Sequence, residues 1–279
     1  MTRITTMTVG DLEVTVLQDG ATEFTPDLFL NTSEDEIDSL LRQAGEEKIR
    51  TNFNAFLIRG KDGVTLVDAG VRDLFGPAAG QLPEALAEAG VAPEEVTRLV
   101  ATHLHPDHVA GMVTAEGAAA FPNAELALQA AEQAFWGDAA RFAGMGEPME
   151  GWQQLAAAVL AAYGDRLVLL EGAEDEAAAP GLTAIPLPGH TPGHMGLRIS
   201  DGDDQLVIAG DIVHAQTLQI PNPEIGVGFD IDPAAAAAAR KRMLAMLAGD
   251  DLLFTGGHVL GPDKFIRVVA DGSGYGVAG

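Results

Sequence analysis

Short apolar runs bounded by glycine-rich or polar residues recur along the chain, a pattern typical of β-strands. The first run, residues 12–17, alternates between apolar and polar side chains like a half-buried strand. Gln18, Asp19 and Gly20 follow it and predict a turn. Residues 59–63 separate two later runs and predict a hairpin connection. Strands are expected at residues 12–17, 53–58, 64–67, 97–101, 124–128, 183–187, 195–199, 205–209 and 252–255.

Segments with apolar residues at helical spacing predict helices between these strands. Ser33 is expected to be an N-cap, because acidic residues follow it and Ile37 and Leu41 then recur on one face. Other helices are expected near residues 83–89, 129–135, 152–162 and 233–248, and the alanine-rich composition of the last favours a structural role. Alternating strands and helices indicate an α/β fold. Because no linker is evident, a single domain over residues 1–279 is expected.

Charge and composition narrow the possible partners. The 279 residues include 41 acidic and 16 basic side chains, giving a net charge of −25 that would repel nucleic acid and anionic lipid. The first residues lack the apolar core of a signal peptide, and no apolar run approaches the ~20 residues that span a bilayer. A cytoplasmic protein with neither nucleic-acid nor membrane partners is therefore expected. The chain has no cysteine, so any metal must be bound by histidine and carboxylate side chains.

Residues 102–108 concentrate metal-ligand side chains. Of seven histidines in the chain, three occur here, as His103, His105 and His108, together with Asp107. Imidazole and carboxylate groups are usual ligands of zinc and similar ions, and the apolar run before them argues against a merely solvated loop. His103 and His105 are two residues apart, so in extended backbone they point to the same side. Four ligands within six residues suit two adjacent ions better than one tetrahedral ion.

Three later segments repeat one arrangement, in which an apolar strand is followed by glycine and then by a ligand-type residue. They carry His190 and His194 in the loop at 188–194, Asp211 after Gly210, and His258 after Gly257. Each segment alone is more typical of an ordinary turn or capping residue. Together with the first cluster they form a matched set.

The run His-x-His-x-Asp-His at 103–108, the loop Gly-His-Thr-Pro-Gly-His at 189–194 and the segments Ala-Gly-Asp at 209–211 and Gly-Gly-His at 256–258 resemble the metallo-β-lactamase superfamily. The resemblance covers residues 53–258 and implies an αββα sandwich with two metal ions at the edge of its sheets. It implies that one ion is bound by His103, His105 and His190. The second ion would be bound by Asp107, His108 and His258, with Asp211 bridging the two.

The resemblance also implies supporting residues and a chemistry. Asp68, in an Asp-x-Gly segment after a strand, would orient ligands by hydrogen bonding, and His194 is expected to support the site rather than bind an ion. His214 matches no ligand position. Two ions about 3.5–4 Å apart can share a water and supply hydroxide near neutral pH to attack a carbonyl or phosphoryl centre. Asp107 or Asp211 would position this water or accept its proton; the ions are expected to be zinc, with manganese, cobalt and iron also suited to these ligands.

Within the superfamily, the chain most resembles the methyl parathion hydrolase branch, through segments such as 52–70, 74–77, 210–214 and 229–232. True β-lactamases differ at the position of Asp211, and the nucleases are opposed by the net charge. Acyl-homoserine lactonases often carry a tyrosine shortly after the bridging aspartate, which residues 212–229 lack. The branch implies an aromatic leaving-group pocket at Phe75, Trp136 and Trp152, although aromatic residues at these positions could equally belong to the core.

The predicted function is hydrolysis of a neutral, ester-like small molecule by a metal-bound hydroxide. A lactone or an aryl or carboxyl ester is the expected substrate, with phosphotriesterase activity as a side reaction. The alternatives are a glyoxalase II-like thioesterase, although only 21 residues follow His258 for a substrate domain, and a mononuclear-iron oxidoreductase resembling persulfide dioxygenases. The resemblance also implies a homodimer.

Overall fold

The computed structural model describes residues 2–278. Its strands are β1 (Ile4–Val9), β2 (Leu12–Phe24), β3 (Phe29–Leu30), β4 (Ile49–Gly60), β5 (Gly63–Val67), β6 (Arg98–Val100), β7 (Glu125–Gln129), β8 (Leu167–Leu170), β9 (Ala177–Ala179), β10 (Leu182–Pro186), β11 (Met195–Asp201), β12 (Asp204–Ile208), β13 (Gly226–Val227), β14 (Phe254–Thr255), β15 (Val268–Asp271) and β16 (Gly274–Val277). The helices are α1 (Glu34–Ala44), α2 (Leu82–Glu88), α3 (Pro106–Val109), α4 (Ala130–Trp136), α5 (Ala139–Phe142), α6 (Met149–Tyr163), α7 (Gln216–Gln219) and α8 (Pro233–Gly249).

Two mixed sheets form the centre of the fold. The first has the strand order β1-β2-β4-β5-β6-β7-β8; its pairings are antiparallel as far as β5 and parallel from β5 to β8. The second has the order β14-β12-β11-β10-β9, and only β14 pairs in parallel. The predicted hairpin is confirmed, since β4 and β5 pair as far as Gly60 and Gly63.

The sheets pack face to face, and helices cover their outer faces. Because side chains alternate along a strand, Phe56 and Ile58 of β4 join a core cluster with Leu197 and Ile199 of the second sheet. Leu57 instead joins a cluster containing residues of α2, α4 and α6. On the other side, residues of α8 pack on β10 and β12. These layers confirm the predicted αββα sandwich.

The predicted turn at residues 18–20 is wrong, because β2 continues through it. The register between β2 and β4 shifts between Gln18 and Gly20, so the chain bulges there and continues as a strand. The side chain of Asp19 is fully buried and accepts hydrogen bonds from the backbone N–H groups of Val71 (2.8 Å), Leu82 (2.6 Å) and Gly80 (3.3 Å). Asp19 therefore anchors the loop between β5 and α2.

The predicted helix start at Ser33 is confirmed, since its side chain accepts a hydrogen bond from the backbone N–H of Glu36. Helix α8 begins at Pro233 as expected, and Asp232 is its N-cap. Among residues 2–278, no helix is long and apolar enough to cross a membrane.

Candidate metal centre

The predicted ligands follow the ends of four strands at one edge of the sandwich. After β6 the backbone runs to His105, the N-cap of α3, so that Asp107 and His108 lie in the first turn of that helix. The loops after β10, β12 and β14 bring the remaining ligands from the second sheet: His190, Asp211 and His258. All the histidines and Asp211 are buried, whereas the Asp107 side chain keeps 17% of its surface exposed.

His103, His105 and His190 converge and are called here the three-histidine group. His105 Nδ1 lies 3.1 Å from His103 Nε2 and 2.9 Å from His190 Nε2. Burial lowers the pKa of each imidazole well below its usual value, which favours the neutral form that binds metal.

Hydrogen bonds behind two of these rings define their tautomers. The Thr102 hydroxyl donates to Asp68, so its oxygen accepts a hydrogen bond from His103 Nδ1 (3.1 Å). His190 Nδ1 donates to Asp230 Oδ1 (2.8 Å). The Nε2 lone pairs of both rings therefore face His105 Nδ1, which can donate to only one of them. With the His105 proton on Nε2 instead, all three nitrogens would offer a lone pair to one cation, so these residues fit a metal ion.

Asp107, His108, Asp211 and His258 form a second set, called here the mixed group. Asp211 Oδ2 lies 3.1 Å from His108 Nε2 and 3.0 Å from His258 Nε2. Asp107 Oδ2 lies 3.5 Å and 3.6 Å from the same two nitrogens. The opposite Nδ1 atoms donate to Asp68 Oδ2 and to the carbonyl of Asn52, each at 2.8 Å.

The charges of the mixed group also suit a cation. Burial lowers the pKa of His108, but the carboxylates of Asp211, Asp107 and Asp68 outweigh it and raise that pKa well above its usual value. Burial raises the pKa of Asp211, yet His108 and His258 outweigh it and hold that pKa well below its usual range. The carboxylates of the mixed group therefore favour a nearby positive charge, which either a protonated histidine or a divalent ion can supply.

Asp211 lies between the two groups. Its Oδ2 atom is 3.6 Å from His190 Nε2 and 3.8 Å from His103 Nε2, in addition to its contacts with the mixed group. Its Oδ1 atom is buried without a hydrogen-bond partner in the described chain. The carboxylate is thus placed so that it could bridge two ions.

Asp68 and His194 support the groups from behind. Asp68 is fully buried and accepts from the Thr102 N–H (2.9 Å) and hydroxyl (2.8 Å) as well as from His108. His194 donates from Nδ1 to the carbonyl of Leu187 (3.0 Å) and accepts at Nε2 from the Asp211 N–H (2.8 Å). Burial lowers the pKa of His194 to about 4, consistent with a neutral ring. Because both its nitrogens are used, His194 has no lone pair for a metal.

Three residues near the centre had no assigned role from the sequence. Asp230, in the segment 229–232, orients His190, and the buried Glu132 accepts hydrogen bonds from two ligand loops. His214 Nε2 lies 3.2 Å from Asp211 Oδ2, and the His214 ring stacks on the His258 ring with 4.7 Å between their centroids. His190, Asp211 and His214 are close enough to share an ion. The sequence signals for His214 were its position three residues after Asp211 and its place in the segment 210–214 that carries the family resemblance.

An aromatic pocket opens onto the ligand groups. Its walls include Phe75 and Trp152, two of the three predicted pocket residues. Trp136 does not line it: this side chain is fully buried, stacks on Phe142 at 5.1 Å and makes a T-shaped contact with the His105 ring at 5.6 Å. The structure thus assigns Trp136 to the core behind His105, the alternative that the sequence left open. The full lining comprises Phe24, Phe53, Phe75, His105, Pro106, Asp107, Trp152, His190, Asp211, His214, Phe229 and His258.

A family model described as the metallo-β-lactamase superfamily matches residues 51–258, and the chain belongs to this superfamily. An N-acyl homoserine lactonase of Bacillus cereus is 26% identical over 233 residues, which cover 76% of this chain and 83% of that protein. The solved structure of AbOPH, a hydrolase in the β-lactamase superfamily, has 29% sequence identity to this chain and a TM-score of 0.91. The match covers 99% of this chain and 97% of the AbOPH chain.

The structure of AidC, a dizinc quorum-quenching lactonase in complex with its product, also has a TM-score of 0.91. Its sequence is 24% identical to this chain, and the match covers 99% of this chain and 96% of the AidC chain. At this identity the similarity shows a shared fold. These matches agree with the αββα sandwich.

Proposed function

We propose that this protein is a dinuclear-metal hydrolase that opens a neutral ester, with lactones as its preferred substrate class. The observation that carries the proposal is the arrangement of two ligand groups, with Asp211 between them, whose members contribute to the lining of one aromatic pocket. Two divalent ions bound there, proposed to be zinc, would lower the pKa of a shared water and polarise the ester oxygen.

The pocket favours a neutral substrate with an apolar portion. Its lining contains no lysine or arginine, so no cation of the wall would bind an anionic substrate. The net charge of −25 opposes the approach of anions as well. Trp152 lies 5.1 Å from the His105 ring, Phe229 lies 6.2 Å from the His214 ring, and the exposed Phe75 adds apolar surface to the same lining. An acyl chain or an aromatic ring would bury against this surface.

The chain's own carboxylates would handle the proton. Asp107 and Asp211 both line the pocket, but the Asp107 side chain is 17% exposed, whereas the Asp211 side chain is 1% exposed and lies between the groups. His108 and His258 overcome the effect of burial and lower the pKa of Asp107, which keeps this carboxylate ionised. We assign Asp107 to orienting the attacking water through an acceptor oxygen, with Asp211 as the bridging ligand.

The relationship to the Bacillus cereus N-acyl homoserine lactonase supports a lactone over other esters. Aryl esters and phosphotriesters are the second candidates, favoured by the aromatic walls, which suit a flat leaving group.

The test uses the full chain stripped of metal and reloaded with zinc, manganese or cobalt. We expect two ions per chain and the highest kcat/KM with N-acyl homoserine lactones, followed by aryl esters and then by neutral phosphotriesters. One iron per chain, or a two-ion protein that opens no lactone, would refute the proposal. A higher kcat/KM for phosphotriesters than for lactones would overturn the substrate preference.

A further inference from the structure

Glu132 binds both loops that carry the three-histidine group. Its side chain is fully buried in the first turn of α4. Oε1 accepts from the N–H of Leu104 (2.9 Å), the residue between His103 and His105. Oε2 accepts from the Thr191 hydroxyl (2.7 Å) and the Gly193 N–H (2.9 Å), in the loop that carries His190. One carboxylate therefore connects the two sheets behind a single ligand group.

The same carboxylate also accepts a hydrogen bond from Trp136, whose side chain lies behind His105. The indole Nε1 of Trp136 donates to Glu132 Oε1 (2.8 Å), and the His105 ring packs against that indole in a T-shaped arrangement. A Cβ atom on Gly193 would lie 2.4 Å from the backbone nitrogen of Glu132, so only glycine allows the His190 loop to approach α4 this closely.

The mixed group has a separate support. His108 is oriented by Asp68 and His258 by the carbonyl of Asn52, and none of the four donors to Glu132 belongs to a residue of that group. A change at Glu132 should therefore reach one ligand group and spare the other.

We propose that Glu132 is a positioning residue that sets the spacing of the two histidine loops and so selectively controls the metal affinity of the three-histidine group. The inference rests on the proposed function only in that this group binds an ion. Supporting residues of this kind typically change metal affinity by about 10–100-fold when they are replaced.

The chemistry of the four donors makes Glu132→Gln a sharp perturbation. Three of them are N–H groups that cannot accept a hydrogen bond, and only the Thr191 hydroxyl can reverse its role. A glutamine can offer its oxygen to one side and must then turn its NH₂ group toward a donor on the other. The variant keeps the size of the side chain but leaves at least one N–H donor facing its NH₂ group, which weakens one of the two loop attachments.

The experiment measures occupancy at each ligand group separately, by zinc anomalous diffraction from crystals of the full chain equilibrated at a series of buffered free-zinc concentrations. We expect Glu132→Gln to need about 10–100-fold more zinc for half-occupancy of the three-histidine group. The mixed group should shift by less than about threefold. Glu84→Gln is the matched control, because Glu84 is exposed in the first turn of another seven-residue helix, and it should shift neither group.

Equal weakening of both groups, or an unchanged three-histidine group, would overturn the inference. If Glu132→Gln does not fold, Gly193→Ala provides the same test by pushing the His190 loop away from α4, and it should weaken the same group selectively. The readout is independent of catalysis: a wild-type chain that binds zinc at both groups but opens no lactone refutes the proposed function and leaves the inference about Glu132 intact.

Discussion

Replacing Asp19 tests whether a buried carboxylate organises the loop between β5 and α2. Asp19→Ala removes the acceptor for three backbone N–H groups: those of Val71 and Leu82, both in buried residues, and that of the partly buried Gly80. No other hydrogen-bond partner in the described structure replaces it. The loop also carries Phe75 of the pocket wall, so the change should affect both stability and substrate binding.

The expected loss of unfolding free energy follows from these three hydrogen bonds. A buried donor left without a partner costs about 1–3 kcal/mol. The bond from Gly80 is the longest, at 3.3 Å, and is partly exposed, so it should contribute least. Asp19→Ala should therefore lower the free energy of unfolding by about 3–6 kcal/mol. For a chain of 279 residues this corresponds to a fall in Tm of roughly 5–10 °C.

Urea unfolding followed by tryptophan fluorescence measures the loss, and amide hydrogen exchange at Val71 and Leu82 locates it. Asp38→Ala, the same change at an exposed helical position, is the control and should alter stability by less than about 0.5 kcal/mol. Asp19→Asn should lie between the two, because its oxygen still accepts from part of the set. If Asp19→Ala costs less than about 1 kcal/mol, the three hydrogen bonds are not what holds the loop.

Three further predictions concern the site and its surroundings. Asp211→Asn should abolish turnover and weaken metal retention, as measured by steady-state kinetics and metal analysis; near-normal activity would contradict a bridging role. Trp152→Ala should raise KM for acylated lactones about tenfold with little loss of stability, whereas Trp136→Ala should lower the free energy of unfolding by about 3–5 kcal/mol; the reverse pattern would exchange their pocket and core roles. Burial raises the pKa of Tyr163 to about 12. Since an unfolded tyrosine titrates near 10, the folded chain keeps a proton that the unfolded chain loses, and stability should fall as the pH rises from about 10 to 12. Tyr163→Phe should lack this part of the fall in pH-dependent urea titrations, and an unchanged alkaline profile would argue against it.

The candidate ligands that the structure brings together were easiest to recognise where metal-ligand residue types are dense along the chain. Six residues carry His103, His105, Asp107 and His108, and such a concentration has few explanations other than metal binding. The sandwich followed from the family resemblance and from the strand pattern. The separate later ligands were recognisable only because each repeats the order of strand, glycine and ligand.

Residues whose role depends on burial could not be predicted in the same way. Glu132 and Asp19 are ordinary acidic residues in the sequence, one in a short helix and one beside a glycine. Both are fully buried only because distant segments fold over them and donate hydrogen bonds. A weak signal existed for Glu132, which lies four residues before Trp136 and hence on the same face of α4. Arg240 is fully buried in the alanine-rich α8, and its side chain lies 3.9 Å from that of Asp230. Its burial likewise could not be predicted from the composition of that helix.

Both ligand groups draw side chains from both sheets, and this has a thermodynamic consequence. In the three-histidine group His190 belongs to the second sheet, and in the mixed group Asp211 and His258 do. Separating the sheets and releasing an ion would then be one event. An ion present at 100 times its Kd would stabilise the fold by about 2.7 kcal/mol. The concentration of free metal would therefore affect the susceptibility of the chain to proteolysis as well as its catalytic rate. A shortage of metal would lower the amount of intact protein.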